Sequence, residues 1–479
     1  MLSEDALYLS VRDLGERIRQ RELSPVELTE SYLDRSERLG PKFNAYATIT
    51  RDLAMKQAHA AEAEIATGHY RGVLHGIPYA AKDLVAVKDY PTTWGARPFR
   101  DQRFDFDAAV IEKLSEAGAI LIGKAAMIEL AGGLGYTNGY ASLTGPARNP
   151  WNTEYWTCGS SSGSGAIVAA ALAPFALGSD TRGSILCPAA HCGISGMRPS
   201  FGRVSRFGAM TIAWTMDKLG PMCRTADDCG LVLSVISGHD PRDHHSLPAE
   251  LADFRYGELA KRPLRIGKLT NVWNRLSPEL QSAVDDALAV LERHGATIID
   301  AEVPDGPYEE AAELTILIEA ASAYDHLIQS GRCAELDDPL GRVNGYPSLE
   351  FSANDFLQIQ RVRTILQNNV DKLFERFDVL ATASQGGAAS KLVVPKEHEQ
   401  SPRPHPPRAS RGADSRAPDG ISSLCGLPAI SVPCGFSKNK LPFGIEFLGR
   451  ALGDVEILAA ANLFQAHTDW HRQRPPLGK

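Results

Sequence analysis

The sequence has no excess of positive charge: 58 acidic side chains face 50 basic ones, leaving a formal net charge of −8. A protein that grips phosphate backbones usually shows the opposite sign, concentrated in a stripe. Nucleic acid is therefore not expected as a direct partner. Long hydrophobic runs are also missing. The longest nearly uncharged stretch, Ala166 to Gly178, is too short to span a bilayer and is interrupted by Pro174. The opening Met-Leu-Ser-Glu-Asp lacks the basic start and apolar core of a secretion signal. A cytoplasmic chain that does not span a membrane is the expectation. Cysteine is sparse. The eight residues at 158, 187, 192, 223, 229, 333, 425 and 434 form no Cys-x-x-Cys pair and no zinc-like spacing with histidine. They read as free, mostly buried thiols of a reducing compartment, with neither a disulfide framework nor a structural metal.

What the chain does contain is enough apolar material for a large core, 43% hydrophobic against 23% charged residues over 479 positions. Residues 9–40 read as two amphipathic helices, the second opened by Ser24-Pro25-Val26-Glu27 with serine as cap and proline in the first turn. An Ala-rich helix follows to about residue 66. Gly76-Ile77-Pro78 then starts a strand. Beyond it, helical segments (110–116, 277–295, 454–468) alternate with apolar strands (119–122, 264–269, 379–384, 429–436, 443–449). Interleaving of this kind, with some strands apolar throughout, predicts an α/β layered sheet covered on both faces. Lys396 to Pro418 has little apolar content and many prolines. It reads as a loop excursion at about 390–420, either a solvent-exposed insertion or a lid, with His398 and His405 solvated.

Two patterns mimic catalytic motifs. Gly118 to Lys124 has the spacing of a phosphate-binding loop, but Ala125 follows where Ser or Thr is needed, and the residues between are strand-forming. A buried strand is expected. Gly159-Ser160-Ser161-Ser162-Gly163 fits a nucleophile elbow centred on Ser161, yet residues 152–158 before it read as a loop rather than an apolar strand. A Ser-His-Asp hydrolase using Ser161 stays open as an alternative. His191 lies near in sequence and is expected to be packed or hydrogen-bonded on a helix.

The informative stretch is Cys158 to Pro199, a Gly/Ser-rich loop, a small-residue helix, a short strand and a second Gly/Ser turn. It resembles the glycine-serine-rich region of the amidase signature family. His75–Asp83, Gly202–Gly208, Asp217–Pro221, Gly426–Pro433 and Asp469-Trp470-His471 fit that family too. The likeness runs over about residues 6–475. It implies a three-layer α/β/α sandwich around a large mixed β-sheet, with residues 1–66 as a helical segment packed on a catalytic unit of 67–479. It also implies a Ser–Ser–Lys triad: Ser184 as nucleophile, Ser160 as the bridging serine held by a cis peptide, and Lys82 as base. Backbone amides of Thr181, Arg182, Gly183 and Ser184 fall on the oxyanion hole. Leu134, Gly135, Tyr136 and Ser161 fall on substrate-binding positions.

The chemistry asks for such roles. A serine hydroxyl needs a base, and lysine serves only when burial makes it neutral; Lys82 follows the apolar run Ile77–Ala81. Left to its own residues, Lys82 beside Asp83 also reads as a surface ion pair, and Ser160 and Ser184 as helix caps. Two residues depart from the family pattern, Arg182 and Cys158, each where relatives usually carry glycine. Arg182 is strained if its position needs positive φ; otherwise it lines the acyl pocket or pairs with Asp180. The expected activity is hydrolysis of the C–N bond of a small-molecule amide, with esters and carbamates (urethanes) as further substrates, no metal or organic cofactor, and a monomer or homodimer. The alternatives are the glutaminase subunit of a tRNA-dependent amidotransferase and a non-catalytic binding protein on the same scaffold. Arg182 and the divergent 300–420 region favour the stand-alone hydrolase.

Overall fold

The computed structural model describes residues 2–257, 263–273, 276–393 and 418–477. Most of the 390–420 excursion, with His398 and His405, lies outside the described residues. Helices begin where the sequence provides caps. The Ser24 and Ser277 hydroxyls accept the first free amides of helices Pro25–Phe43 and Pro278–Arg293, each with proline in the first turn. The first of these ends at Asn44, whose φ of 48° closes the helix in a left-handed cap.

Thirteen strands are present among the described residues. In chain order they are β1 (Tyr46–Ile49), β2 (Pro78–Lys82), β3 (Ile120–Ala125), β4 (Arg148–Asn149), β5 (Asn152–Trp156), β6 (Phe175–Asp180) and β7 (Ser195–Arg198), then β8 (Lys218–Cys223), β9 (Arg265–Leu269), β10 (Thr297–Ala301), β11 (Val379–Ala383), β12 (Ala429–Phe436) and β13 (Pro442–Gly449). Eleven form one mixed sheet in the order β1-β3-β2-β6-β8-β7-β12-β13-β11-β9-β10; β4 and β5 form a separate hairpin. Strands β2, β3, β6, β8 and β13 are buried at every residue. Helices cover both faces, which is why these strands are mostly apolar along their length instead of alternating, with charged residues at only a few positions such as Lys82, Lys124 and Asp180. Helices Ala226–Ile236, Pro278–Arg293 and Asp454–Ala466 form one row, and Ser162–Ala169 with Leu186–Cys192 belong to the other. The α/β/α sandwich expected from the sequence is the fold observed.

Two local expectations are corrected. The stretch ahead of the first serine cluster is not a loop: Asn152–Trp156 is β5, paired with β4. The N-terminal segment is also not purely helical, because β1 joins the large sheet as an edge strand, antiparallel to β3. The same segment clamps the small-residue helix. Arg35 Nε donates to the Ala170 carbonyl and Ser36 Oγ to that of Leu172, satisfying acceptors at the helix end. Within Gly118–Lys124 the residues from Ile120 onward form the buried strand expected, β3, with Gly118 in the turn before it. No helix among the described residues is long and apolar enough to cross a membrane.

The topology sets the site. Strands β2 and β6 run parallel and adjacent, with Tyr79, Ala80 and Ala81 opposite Phe175, Ala176 and Leu177. Their carboxyl ends therefore emerge side by side, bringing Lys82 to Ser179 and Asp180. The helix that follows the first serine cluster can sit directly behind them because Gly163 has no side chain: a Cβ there would press on backbone atoms of Ala45 and Ala126.

Candidate active site

Lys82, the last residue of β2, is fully buried, and its Nζ lies 2.7 Å from Ser160 Oγ, 3.0 Å from Ser161 Oγ and 2.9 Å from Ser179 Oγ. Three hydroxyls surround the amine and no carboxylate touches it. Burial pushes the amine down to about 7, against the opposing pull of Asp180 and Asp217. The next residue, Asp83, points the other way, as alternation along extended chain requires. Its carboxylate lies 2.9 Å from Lys124 Nζ and accepts from the Thr93 amide and hydroxyl. The surface-pair reading of Lys82 and Asp83 is thereby replaced: both are buried, and they do not pair with each other.

Ser160 follows a cis Gly159–Ser160 peptide bond. Ser161 is committed on every side. Its amide donates to the Ser184 carbonyl (3.2 Å), its hydroxyl donates to the Ser179 carbonyl (3.2 Å), and its Oγ accepts from the Ser179 amide. This stitching holds the two serine clusters together across the end of β6. Ser184 itself is half-buried, one residue after Gly183, whose φ of 84° is a left-handed turn.

Asp180 organises that turn. Its carboxylate accepts from the amides of Gly183 (2.8 Å) and Ile185 (2.8 Å) and pairs with the buried Arg198 guanidinium at 3.2 Å. Burial pushes this carboxyl up, but Arg198, Lys218 and the amides outweigh it and hold the group below its usual range. Of the four amides expected to face a developing oxyanion, that of Gly183 is already donated to Asp180. Those of Thr181, Arg182 and Ser184 have no intramolecular acceptor among the described residues.

Arg182 does not take a positive φ, and its side chain does not pair with Asp180; it reaches helix Tyr308–Ala323, 3.5 Å from both Glu309 and Glu313. Cys158 does occupy a glycine-like conformation, with φ 70°. The reading of all eight cysteines as free thiols is corrected here: Cys158 and Cys187 form a disulfide, while the other six are free and buried. Spacing alone could not reveal it, because the two cysteines are brought together by the same folding that joins the serine clusters. His191 lies on helix Leu186–Cys192; burial pushes its imidazole down to about 4, against the opposing influence of the Gly387 backbone. Leu134 is buried. Gly135, at φ 84°, packs against Leu340 and Asn344, and the Tyr136 ring meets Trp156 edge-on at 6.0 Å.

These features match known proteins over nearly the full length. An amidase family model matches residues 27–458. The chain belongs to the amidase signature family. It is 34% identical to the A subunit of glutamyl-tRNA(Gln) amidotransferase from Acinetobacter baumannii, with 99% of each chain covered. Among solved structures, the peptide amidase from Stenotrophomonas maltophilia superposes with a TM-score of 0.81 at 27% identity, covering 98% of each chain. A bacterial aryl acylamidase of the amidase signature family gives 0.83 at 26%, covering 98% of this chain and 99% of that one. Within this amidase-family enzyme, the structure brings together Lys82, Ser160, Ser161 and the Thr181–Ser184 turn, and sets Leu134–Tyr136 against helix Pro339–Ser348. Sequence reasoning missed Ser179, the third hydroxyl on the lysine, and the Asp180–Arg198 pair. All three lie within the Gly/Ser-rich stretch from Cys158 to Pro199, but no pattern rule assigns them a task.

Proposed function

We propose that this enzyme hydrolyses the C–N bond of a small-molecule amide through a seryl ester on Ser184, with esters and carbamates as further substrates. Neutral Lys82 takes the proton of Ser160 as Ser160 takes that of Ser184, and the Ser184 oxygen attacks the substrate carbonyl carbon. A hydroxyl can relay in this way because it both donates and accepts. The Ser161 hydroxyl donates its hydrogen bond to the Ser179 carbonyl, so toward Lys82 it acts as acceptor and steadies the amine. The oxyanion is met by the amides of Thr181, Arg182 and Ser184, each able to contribute about 3–4 kcal/mol in such a role. Collapse expels the amine, which leaves with the relayed proton. Water, activated through the same relay, then cleaves the ester. Every proton is moved by a side chain of this chain, and no step calls on a cofactor.

The observation that carries this reading is a buried lysine whose side-chain hydrogen-bond partners through Nζ, among the described residues, are all serine hydroxyls. A fluorophosphonate probe tests it: covalent labelling at Ser184 in folded protein, lost in Ser184→Ala, is expected. Labelling at Ser161 would transfer the role to the elbow serine, and no labelling would favour a binding protein. A panel of anilides, aliphatic amides, aryl esters and carbamates then assigns the acyl and amine groups. The full-length likeness to amidotransferase A subunits favours one second reading, a glutaminase that works with partner subunits. Turnover of the panel by the isolated chain, with glutamine inert, separates the two.

A further inference from the structure

The proposed acyl transfer leaves one cluster of chemistry-bearing side chains unused. Cys158 stands two positions before Ser160, and Cys187 three after Ser184. His191 lies one turn beyond Cys187 on helix Leu186–Cys192, and residues four apart on a helix share a face. His191 Nδ1 is 3.9 Å from Cys187 Sγ, and both sulfurs and a ring nitrogen all lie within 4.8 Å of one another. It is the one such histidine, cysteine or carboxylate cluster among the described residues. Donor atoms around a tetrahedral zinc ion with sulfur and imidazole ligands sit roughly 3.5–4 Å apart, so small side-chain movements suffice to close the set.

We propose that opening the Cys158–Cys187 bridge creates a zinc(II) site whose ligands are Cys158 Sγ, Cys187 Sγ and His191 Nδ1. The bridge and the ion are alternative occupants of one corner. In the first step a phosphine gives its electron pair to the S–S bond and, with one water, becomes the phosphine oxide while two thiols form; a dithiol reductant does the same and leaves as its own disulfide. In the second, zinc binds both sulfurs as thiolates and two protons pass to solvent. The Gly387 backbone stands beside the His191 ring, in the place from which outer contacts orient metal-bound histidines. Three protein ligands leave the fourth position to water, and the half-buried His191 marks the side open to solvent.

The test uses the full-length protein treated with a water-soluble phosphine, desalted without oxygen and titrated with cobalt(II) and then zinc(II). Two new thiols, one equivalent of cobalt with thiolate charge-transfer absorption, and its displacement by zinc are expected. Untreated protein should show none of these. Two variants guard against misfolding and against the six other cysteines. Cys158→Gly suits the left-handed φ at that position, so it keeps the backbone and should lose the signal. His191→Gln keeps both thiols and should bind zinc at least tenfold more weakly. A bridge that resists the phosphine in folded protein, a reduced protein that binds no cobalt, or undiminished binding by either variant would overturn the proposal.

Discussion

Two lysines at the carboxyl ends of neighbouring parallel strands meet opposite fates. Lys82 on β2 and Lys124 on β3 are one register step apart, with Lys82 opposite Ala125 and Ala81 opposite Lys124, and both are fully buried. Lys124 meets the Asp83 carboxylate at 2.9 Å, with the Thr92 hydroxyl at 2.9 Å. Lys82 meets hydroxyls only. Burial lowers both amines; for Lys124 a carboxylate in contact opposes it, while the acids that oppose it at Lys82 stand off. A buried charge persists when paired and is given up when it is not. The partner set, and not the residue type or the depth, decides which lysine holds a chain together and which is free to accept a proton.

The largest expected effect strikes the hydroxyl-lined lysine and its serines. Ser184→Ala and Lys82→Ala should each lower kcat by about 10⁴-fold or more, measured on folded protein. Lys82→Arg should be no better, since a guanidinium does not deprotonate at working pH. Next comes the carboxylate-paired lysine. Lys124→Met leaves Asp83 buried and unpaired, a loss of about 3–5 kcal/mol in denaturant unfolding, while the fraction that stays folded keeps its specific activity. Equal loss of turnover per folded molecule in both lysine variants would erase the distinction between them.

The pH profile sharpens the contrast. A base works only when deprotonated, so kcat/KM should fall tenfold per unit as pH drops below about 7, the value at which Lys82 titrates. Ser179→Asp would place a carboxylate beside Lys82 and make it resemble Lys124, moving that limb to higher pH. Stability carries the same signature. Between about 7 and the ordinary 10.5 the unfolded chain binds the proton that the folded one has lost, so stability rises with pH across that window. Lys82→Met should flatten that rise. The smallest effect belongs to Arg182→Gln, whose partly exposed links to Glu309 and Glu313 are each worth under about 1 kcal/mol. A several-fold change in KM or acyl preference, with little change in melting temperature, is the expected outcome.

Much of the fold is legible in the sequence. Capped helices at Ser24 and Ser277, and apolar strands such as 429–436, announce themselves because capping and burial on both faces act over a few adjacent residues. Strand β1 gives no such signal, being a short, half-buried edge segment between two helices. Lys82, Ser160 and Ser184 are found through family likeness and not through local pattern. Ser179 and Asp180 stand in the same Gly/Ser-rich stretch without an assignment, because their partners, Lys82 and Arg198, come from other strands.

The amino-acid sequence by itself determined the order and kind of the elements, the small-residue stretch that lets backbones approach closely, and the presence of two serine clusters downstream of a lysine that ends an apolar run. Those follow from side-chain volume, polarity and backbone freedom, which each residue carries with it. Only tertiary structure decided that Asp83 serves Lys124 instead of Lys82, that Arg182 turns to Glu309 and Glu313, and that Cys158 meets Cys187. Such pairings depend on which strand ends lie side by side, and distance in space is set by the whole sheet.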